Sequence, residues 1–452
     1  LDPACGTGRF LVSALERIIA NSPPEDLKKN VEMLQGWDID EVALQTCREI
    51  LDKKLAPTGI QANWQLKVMD SLEEGRQEAY QNAFDCIVAN PPYIRIQHLP
   101  ENKRNFIQEN YRFCSKGSTD VFIAFFELSL GLLAPKGQAG FITPNSFLYS
   151  ETARALRNHF SAQQILRQIT NYAEQAVFKG VGTYSAITIF GKEKQASFTY
   201  QKANSLQQFQ KERVFFSDLQ EANVWRLGLR KNSFSQGVAL KEIADIRVGL
   251  TTLQDRSFIF KGKPLNAEQV EVATPMGSIP LEKAILKNII KASKPSRYTD
   301  YLLFPYQIKE DKAHILPEDV LQDKFPRAYQ YLCQMKAQLD KRDNGKSNRV
   351  AWYAFGRHQS LATGFGPKIF FSPMNKAPNF IYSDRAKTTI YSGYFIKLKE
   401  TPSAARYQNL LKQLNSQKMA DYVAASSRDF RGGWKAYSKR VIEDFIIDPK
   451  LL

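Results

Sequence analysis

The sequence predicts an α/β protein: a mostly parallel sheet covered on both faces, followed by a mixed α+β domain. Three observations lead there. Short apolar segments alternate with helical ones through the first 190 residues. A glycine-rich turn, Asp2-Pro3-Ala4-Cys5-Gly6-Thr7-Gly8, opens the chain. Charge is divided unevenly: residues 1–200 hold 21 Lys+Arg and 22 Asp+Glu, whereas residues 201–452 hold 41 and 24. At 452 residues the chain exceeds one ordinary domain.

The elements follow from spacing. Phe10–Ala20 is apolar at helical intervals. Val31–Ile39 reads as a strand ending in acidic residues. Glu41–Leu55 is helical and Trp64–Met69 extended. Phe84–Ala89 is a short buried strand running into Asn90. Val121–Leu133 is a strongly apolar helix, ended by Pro135-Lys136-Gly137. Gln138–Thr143 is the next strand, Glu151–Phe160 a helix, Ile165–Ile169 a strand, and Tyr184–Phe190 closes the pattern. Strands alternating with helices predict a parallel sheet with both faces covered. A glycine-rich turn should follow a first strand, yet only Leu1 precedes Asp2, so the sequence reads as shortened at its start. The expected division is 1–191 catalytic, 192–238 a polar, Gln-rich connector, and 239–452 a basic domain broken by prolines.

Composition narrows the function classes. No run of 18 apolar residues predicts a membrane span. Five widely spaced cysteines without a CxxC pair, and four scattered histidines, predict neither a zinc site nor a disulfide framework, with a reducing compartment as the default. The net charge of +16 sits entirely in the second half, which predicts a polyanionic partner there.

Two motifs carry chemistry. Gly6 and Gly8 let the backbone turn tightly into a helix and approach a ligand closely. The helix start offers free N–H groups. The third glycine of a dinucleotide fingerprint is replaced by Phe10-Leu11, and no Gly-Lys-Ser/Thr of a P-loop follows. Asp38 ends the second strand, where a carboxylate suits two ribose hydroxyls, and Ile39 suits packing on an adenine ring. Asp70 and Ser71 follow the third strand. Asn90-Pro91-Pro92-Tyr93 follows the fourth, at the edge where open α/β sheets bind ligands. The Asn90 side-chain oxygen and the Pro91 carbonyl make two acceptors. Aimed at the two N–H bonds of an exocyclic amine, they draw its nitrogen toward a tetrahedral state and free its lone pair. Pro91 and Pro92 fix φ and remove competing donors. Tyr93 offers a ring face for stacking. Asp120 suits either a cap on the following helix or the border of the cofactor site.

On these residues the chain resembles amino-methylating DNA methyltransferases that make N6-methyladenine in restriction-modification systems. The motif order is that of the class with cofactor motif, NPPY and target-recognition domain in succession. The resemblance implies a Rossmann-like methyltransferase fold, with S-adenosylmethionine bound at Asp2, Ala4, Gly6, Gly8, Asp38, Ile39, Asp70 and Ser71. Asp70 stands where the family accepts the cofactor's 6-amino group. Phe178, in Val177-Phe178-Lys179-Gly180, resembles the second aromatic of the base pocket, which holds an adenine flipped out of duplex DNA. NPPY also occurs in protein-glutamine methyltransferases, whose amide substrate presents the same two N–H bonds; they lack a large basic domain. A DNA-binding specificity module with a vestigial methylase fold is the other alternative.

Two stretches of the basic half resemble target-recognition domains of combined restriction-modification enzymes. One is Trp352-Tyr353-Ala354-Phe355-Gly356-Arg357 with Pro367–Phe371. The other is Ser427–Tyr437, where Arg428, Arg431 and Lys435 alternate with Phe430, Trp434 and Tyr437. Arginine reads guanine edges and lysine mostly meets phosphate, so these residues are expected on DNA. Lys341, Arg342 and Lys346 are expected on backbone phosphate. No Asp…Glu-x-Lys nuclease constellation is evident; a nuclease, if the parent protein has one, is expected upstream of this chain.

Overall fold

The computed structural model describes residues 1–178, 183–219, 225, 227, 237–295, 300–400 and 402–452. The chain divides into two compact units: Leu1–Gly228 with Arg428–Arg431, and Leu229–Ser427 with Gly432–Leu452.

In the first unit the elements run α1 Arg9–Asn21, α2 Pro24–Glu32, β1 Gln35–Asp38, α3 Glu41–Leu55, β2 Gln65–Val68, α4 Ser71–Glu74 and β3 Phe84–Ala89. They continue with α5 Glu101–Asn110, α6 Val121–Leu132, β4 Leu133–Pro144, α7 Arg154–Gln163, β5 Leu166–Asn171, β6 Ser185–Gly191, β7 Ser197–Ala203 and β8 Phe209–Phe215. Strands β1 and β2 pair in parallel. A six-stranded sheet runs β3-β4-β6-β5-β7-β8. Leu1 and Asp2 join the two. The Val88 N–H donates to Leu1 O and the Asp2 N–H to Gln35 O, and Asp2 bridges Gly36 in parallel.

Most strands of the joined sheet run in one direction, as expected, but β6 and β8 are reversed. The pairs β3·β4 and β5·β7 are parallel, whereas β4·β6, β5·β6 and β7·β8 are antiparallel. Period-2 apolarity reports burial of a strand and carries no direction, so the reversal of β6 left no mark in the sequence. The expected connector is corrected. Its residues 197–215 form β7 and β8 of the same sheet, and Trp225 is buried, its indole N–H donating to Ser161 Oγ at 3.2 Å. Residues 220–224, 226 and 228–236 of that stretch lie outside the described ones.

Local chemistry explains the remaining differences. Val31 belongs to α2, not to a strand: Pro24 stands at the first helical turn, Glu25 and Asp26 face the positive helix end, and Leu27 and Val31 share the buried face. The turn expected at Pro135–Gly137 is a bulge inside β4, because Phe84 pairs with Leu133 but Cys86 already pairs with Gln138. Helix α6 is buried at nine of its twelve residues. Its Phe126 packs against Phe141, Phe147, Phe160 and Phe190, which ties helix, sheet and α7 into one core.

The second unit is α+β. One antiparallel sheet runs Ala244–Val248, Tyr394–Leu398, Lys368–Phe371, Phe380–Ser383. A second runs Ile259–Phe260, Asp300–Leu303, Leu286–Lys291, Thr388–Tyr391. Helix Pro326–Leu339 buries Ala328, Tyr331, Leu332, Met335 and Leu339 in the core beside the second sheet. Helices Ala404–Leu414 and Gln417–Ser426 serve the core of the first. Among the described residues no helix is long and apolar enough to cross a membrane, and no group of His, Cys, Asp or Glu could hold a metal ion.

Candidate active site

The motifs read from the sequence reach one edge of the first unit's sheet. Because Leu1-Asp2, β1, β2 and β3 run in parallel, the turn at 3–8, Asp38, Asp70 and Asn90 all leave from the same strand ends.

The turn is built by its own backbone. Gly6 and Gly8 have φ of 51° and 81°, in the left-handed region that suits glycine. A Cβ on Gly8 would sit 2.2 Å from Cys47 Sγ, whereas a Cβ on Gly6 would meet no described atom within 4 Å. Gly8 is therefore fixed by packing against α3, and Gly6 borders open space. Asp38 holds the turn in place: its Oδ2 accepts the Gly6 N–H at 2.7 Å and its Oδ1 the Asp40 N–H at 3.0 Å. Each oxygen keeps a second lone pair for a ligand hydroxyl. Ile39, beside it, is 72% exposed, which leaves an apolar face free to pack against a flat ring. Open space at Gly6, spare acceptors on Asp38 and a bare apolar side chain fit a nucleoside-bearing cofactor.

Two of the expected cofactor residues face inward, and a third is already engaged. Asp2 is buried, and its Oδ1 accepts the Ala4 N–H at 3.1 Å, which shapes the turn around Ala4. Burial pushes the Asp2 carboxyl up to about 7, against the opposing effect of that N–H. Ser71 is buried and donates its hydroxyl to Pro3 O at 2.6 Å, tying α4 to the turn. Asp70 is engaged twice: Oδ1 caps α4 through the Leu72 N–H at 3.0 Å, and Oδ2 pairs with Lys103 of α5. Lys103 also reaches Glu73 at 2.9 Å. A lone lysine on a polar helix carries no sequence signal; only the fold brings it to Asp70.

Asn90 is exposed at the end of β3, and Pro91 is buried behind it. The Tyr93 hydroxyl lies 2.6 Å from Asn90 Oδ1 and 3.2 Å from Ile142 O. It has one proton for these two acceptors. Burial pushes the Tyr93 pKa up to about 12, so the hydroxyl stays a donor at neutral pH. The Tyr93 ring meets the Phe122 ring edge-on at 6.3 Å. The segment behind the motif is pinned to the start of α6 by Ile96 N–H to Thr119 O and Val121 N–H to Ile94 O. Asp120 occupies the N-cap position there, yet among the described residues its side chain makes no capping bond. Burial raises its pKa, with Arg95 opposing.

Sequence reasoning missed an amide pair at the neighbouring strand ends. Asn145, just beyond β4, donates to Asn171 Oδ1 at 3.0 Å, and Asn171 Nδ2 lies 3.1 Å from Tyr149 Oη and 3.0 Å from Tyr200 Oη. The same Asn171 oxygen accepts the Ala173 N–H at 2.9 Å, where the chain turns with a φ of 52° toward Phe178. The signal was an asparagine ending each of two strands. Phe178 itself is half-buried; Lys179 and Gly180 lie outside the described residues.

The expected DNA residues divide. Lys341, Lys346 and Arg431 are exposed and Lys435 is half-buried. Arg342 is a correction. It is buried, and its guanidinium donates to the carbonyls of Leu339, Ala354 and Trp352 at 2.7–2.8 Å. A guanidinium buried among internal carbonyls is out of reach of a phosphate at the surface. Arg428 is a second correction. Residues Arg428–Arg431 belong to the first unit, where the half-buried Arg428 lies over the rings of Tyr184 and Phe430 at 5.3 and 5.2 Å. Buried Asp429 pairs with Lys202 at 2.8 Å. The recognition-like stretch Tyr353-Ala354-Phe355 is core rather than surface.

Comparison with known proteins adds to this geometry. Residues 23–178 match the model of the Eco57I restriction-modification methylase family. The chain is 22% identical over 312 residues to the type II restriction enzyme and methyltransferase RM.Eco57I of Escherichia coli, covering 62% of this chain and 31% of that protein. It is 22% identical over 488 residues to the type II methyltransferase M.BanIII of Aneurinibacillus aneurinilyticus, covering 93% of this chain and 79% of that one. Thus the chain spans under a third of the first relative and most of the second. In fold it is similar to the type IIL restriction-modification enzyme MmeI, solved in complex with DNA, with a TM-score of 0.64 at 11% identity over 98% of this chain and 61% of that chain. The resemblance to restriction-modification methyltransferases read from the sequence is met by the family model and by both relatives.

Proposed function

We propose that this chain transfers a methyl group from S-adenosylmethionine to the N6 amino group of an adenine flipped out of a specific DNA sequence, within a restriction-modification system. The observation that carries this reading is the exposed Asn90 at the end of β3, on the same sheet edge as the Gly6–Asp38 turn. When bound, the cofactor supplies an electrophilic sulfonium methyl group. The residues of the chain do the rest. Asn90 Oδ1 and the Pro91 carbonyl accept the two N–H bonds of the target amine, and its nitrogen gains lone-pair density toward the methyl group. The Tyr93 hydroxyl turns its proton toward Ile142 O as the amine takes Asn90 Oδ1, so no acceptor goes unpaired. Tyr93 and Phe178 supply ring faces that compensate for lost base stacking. Asp38 and Ile39 hold the nucleoside end of the cofactor. Asp70 reaches its 6-amino group by sharing the carboxylate now paired with Lys103.

Incubation with methyl-labelled cofactor and duplex DNA, then nucleoside analysis of the product, tests the reading. Label in N6-methyladenine is the expected result. Label in N4-methylcytosine would overturn the choice of base. Label in protein glutamine, with none in DNA, would overturn the substrate class.

A further inference from the structure

The second unit holds a loop that buried side chains fasten to its support. It runs from Lys341 to Gly366, and buried cations fasten it at both ends. Arg342 draws the Leu339, Trp352 and Ala354 carbonyls together. Lys368 is fully buried and donates to Gly366 O and Thr388 O at 2.6 and 2.7 Å. Between them the Gly356 N–H donates to Thr252 O and the Arg357 N–H to Thr251 O. A Cβ on Gly356 would lie 2.4 Å from the Leu253 side chain, so the loop is in close contact with its support. The loop turns through left-handed conformations at Asp343, Asn344 and Ser360. A surface loop without a task has no need of two buried cations, each carrying a desolvation cost.

The loop presents Arg357, His358 and Gln359 to solvent. Arg357 is held in a fork: its two terminal nitrogens lie 3.2 and 3.3 Å from the two Asp343 oxygens. Gln359 Nε2 donates to Thr251 Oγ1 at 3.1 Å. The Arg357–Asp343 pair is neutral overall, which weakens its attraction for phosphate. The arginine keeps a fixed direction and a donor edge, which is what reading one base requires.

Resting on the proposed function, we infer that Arg357 and Gln359 read base edges in the major groove of duplex DNA. Asp343 aims the arginine, and exposed Lys341, Lys346 and Arg349 meet the flanking phosphates. Arginine suits the O6/N7 edge of guanine and glutamine the N6/N7 edge of adenine. The partner follows from the charge of this half, 41 basic against 24 acidic residues over 201–452.

The test measures binding of the full chain to its methylated site sequence and to scrambled duplexes, across salt concentrations. The site itself is first mapped by methylation-aware sequencing of DNA from cells expressing the protein. Arg357→Ala should lower discrimination on the order of 10- to 100-fold, with an unchanged slope of log K against log salt. Asp343→Ala should lower discrimination while raising affinity for scrambled DNA, because it frees a cation. Wild-type discrimination in Arg357→Ala, or a shallower slope with intact discrimination, would overturn the assignment. A wild-type protein that binds no duplex would overturn the function on which it rests.

Discussion

At the reacting centre one side chain carries the largest expected effect. Asn90 supplies the sole side-chain acceptor of the proposed pair, and its oxygen already meets the Tyr93 hydroxyl. Asn90→Ala should cut methyl transfer on the order of 100- to 1000-fold while DNA binding persists. Single-turnover transfer beside a binding titration separates the two quantities; turnover near wild type would refute the role. Tyr93→Phe keeps the ring and removes only the proton shared between Asn90 and Ile142. Substrate affinity should hold, while the rate falls by a smaller factor than in Asn90→Ala, because the amide loses the donor that fixes which of its ends faces the base. A lower affinity with an unchanged rate would show that the hydroxyl, not the ring, binds the base. The same scale shows what the sequence could reveal. The asparagine, the prolines and the two glycines were legible because each residue type has few other reasons to stand in that order. Ser71 and Asp2 were not: the same letters serve a ligand or a neighbouring backbone group, and only burial tells them apart.

Elements were legible where one face is apolar and the ends are punctuated. Helix α3 and strand β3 fall where the pattern placed them, Glu41–Leu55 and Phe84–Ala89. Helix α5 was missed because, among its ten residues, Ile107 alone is buried. Its contribution is Lys103, which ties it to Asp70 and Glu73. Lys103→Ala should therefore change affinity for S-adenosylmethionine and leave the chemical rate alone, because the lysine competes for the carboxylate assigned to the 6-amino group. Calorimetric titration measures it, and an unchanged dissociation constant would remove Asp70 from the cofactor site. Arg342 presents the opposite error. Its letters, Lys341-Arg342, read as surface charge, yet it fastens the end of helix Pro326–Leu339 to the loop beyond. Arg342→Met should destabilise the second unit by roughly 2–3 kcal/mol, since three buried carbonyls lose a charged donor. Urea unfolding gives that value. Under conditions where the variant stays folded, its DNA salt dependence should match the wild type.

Across the whole chain, chemistry and charge are carried by different halves. Residues 1–200 are nearly neutral and hold the cofactor turn and Asn90-Pro91-Pro92-Tyr93; residues 201–452 hold the entire surplus of positive charge. Electrostatic affinity for DNA should therefore come from exposed cations of the second half, and burial decides which of them count. Lys341, Lys346 and Arg349 are exposed, whereas Arg342 and Lys368 are buried among carbonyls. Each phosphate contact contributes about 0.9 to the slope of log K against log salt on duplex DNA. Replacing Lys341, Lys346 and Arg349 together by alanine should flatten that slope by up to about 2.7 if all three meet phosphate. The methylated sequence should not change, because phosphate contacts carry no base information. Binding across a salt series, with methylation-aware sequencing of the product, reads both quantities from one set of variants. A slope equal to the wild type would move the phosphate-contacting face away from this loop. A changed site with an unchanged slope would mean that these three side chains read bases, and Arg357 would then lose its distinction from them.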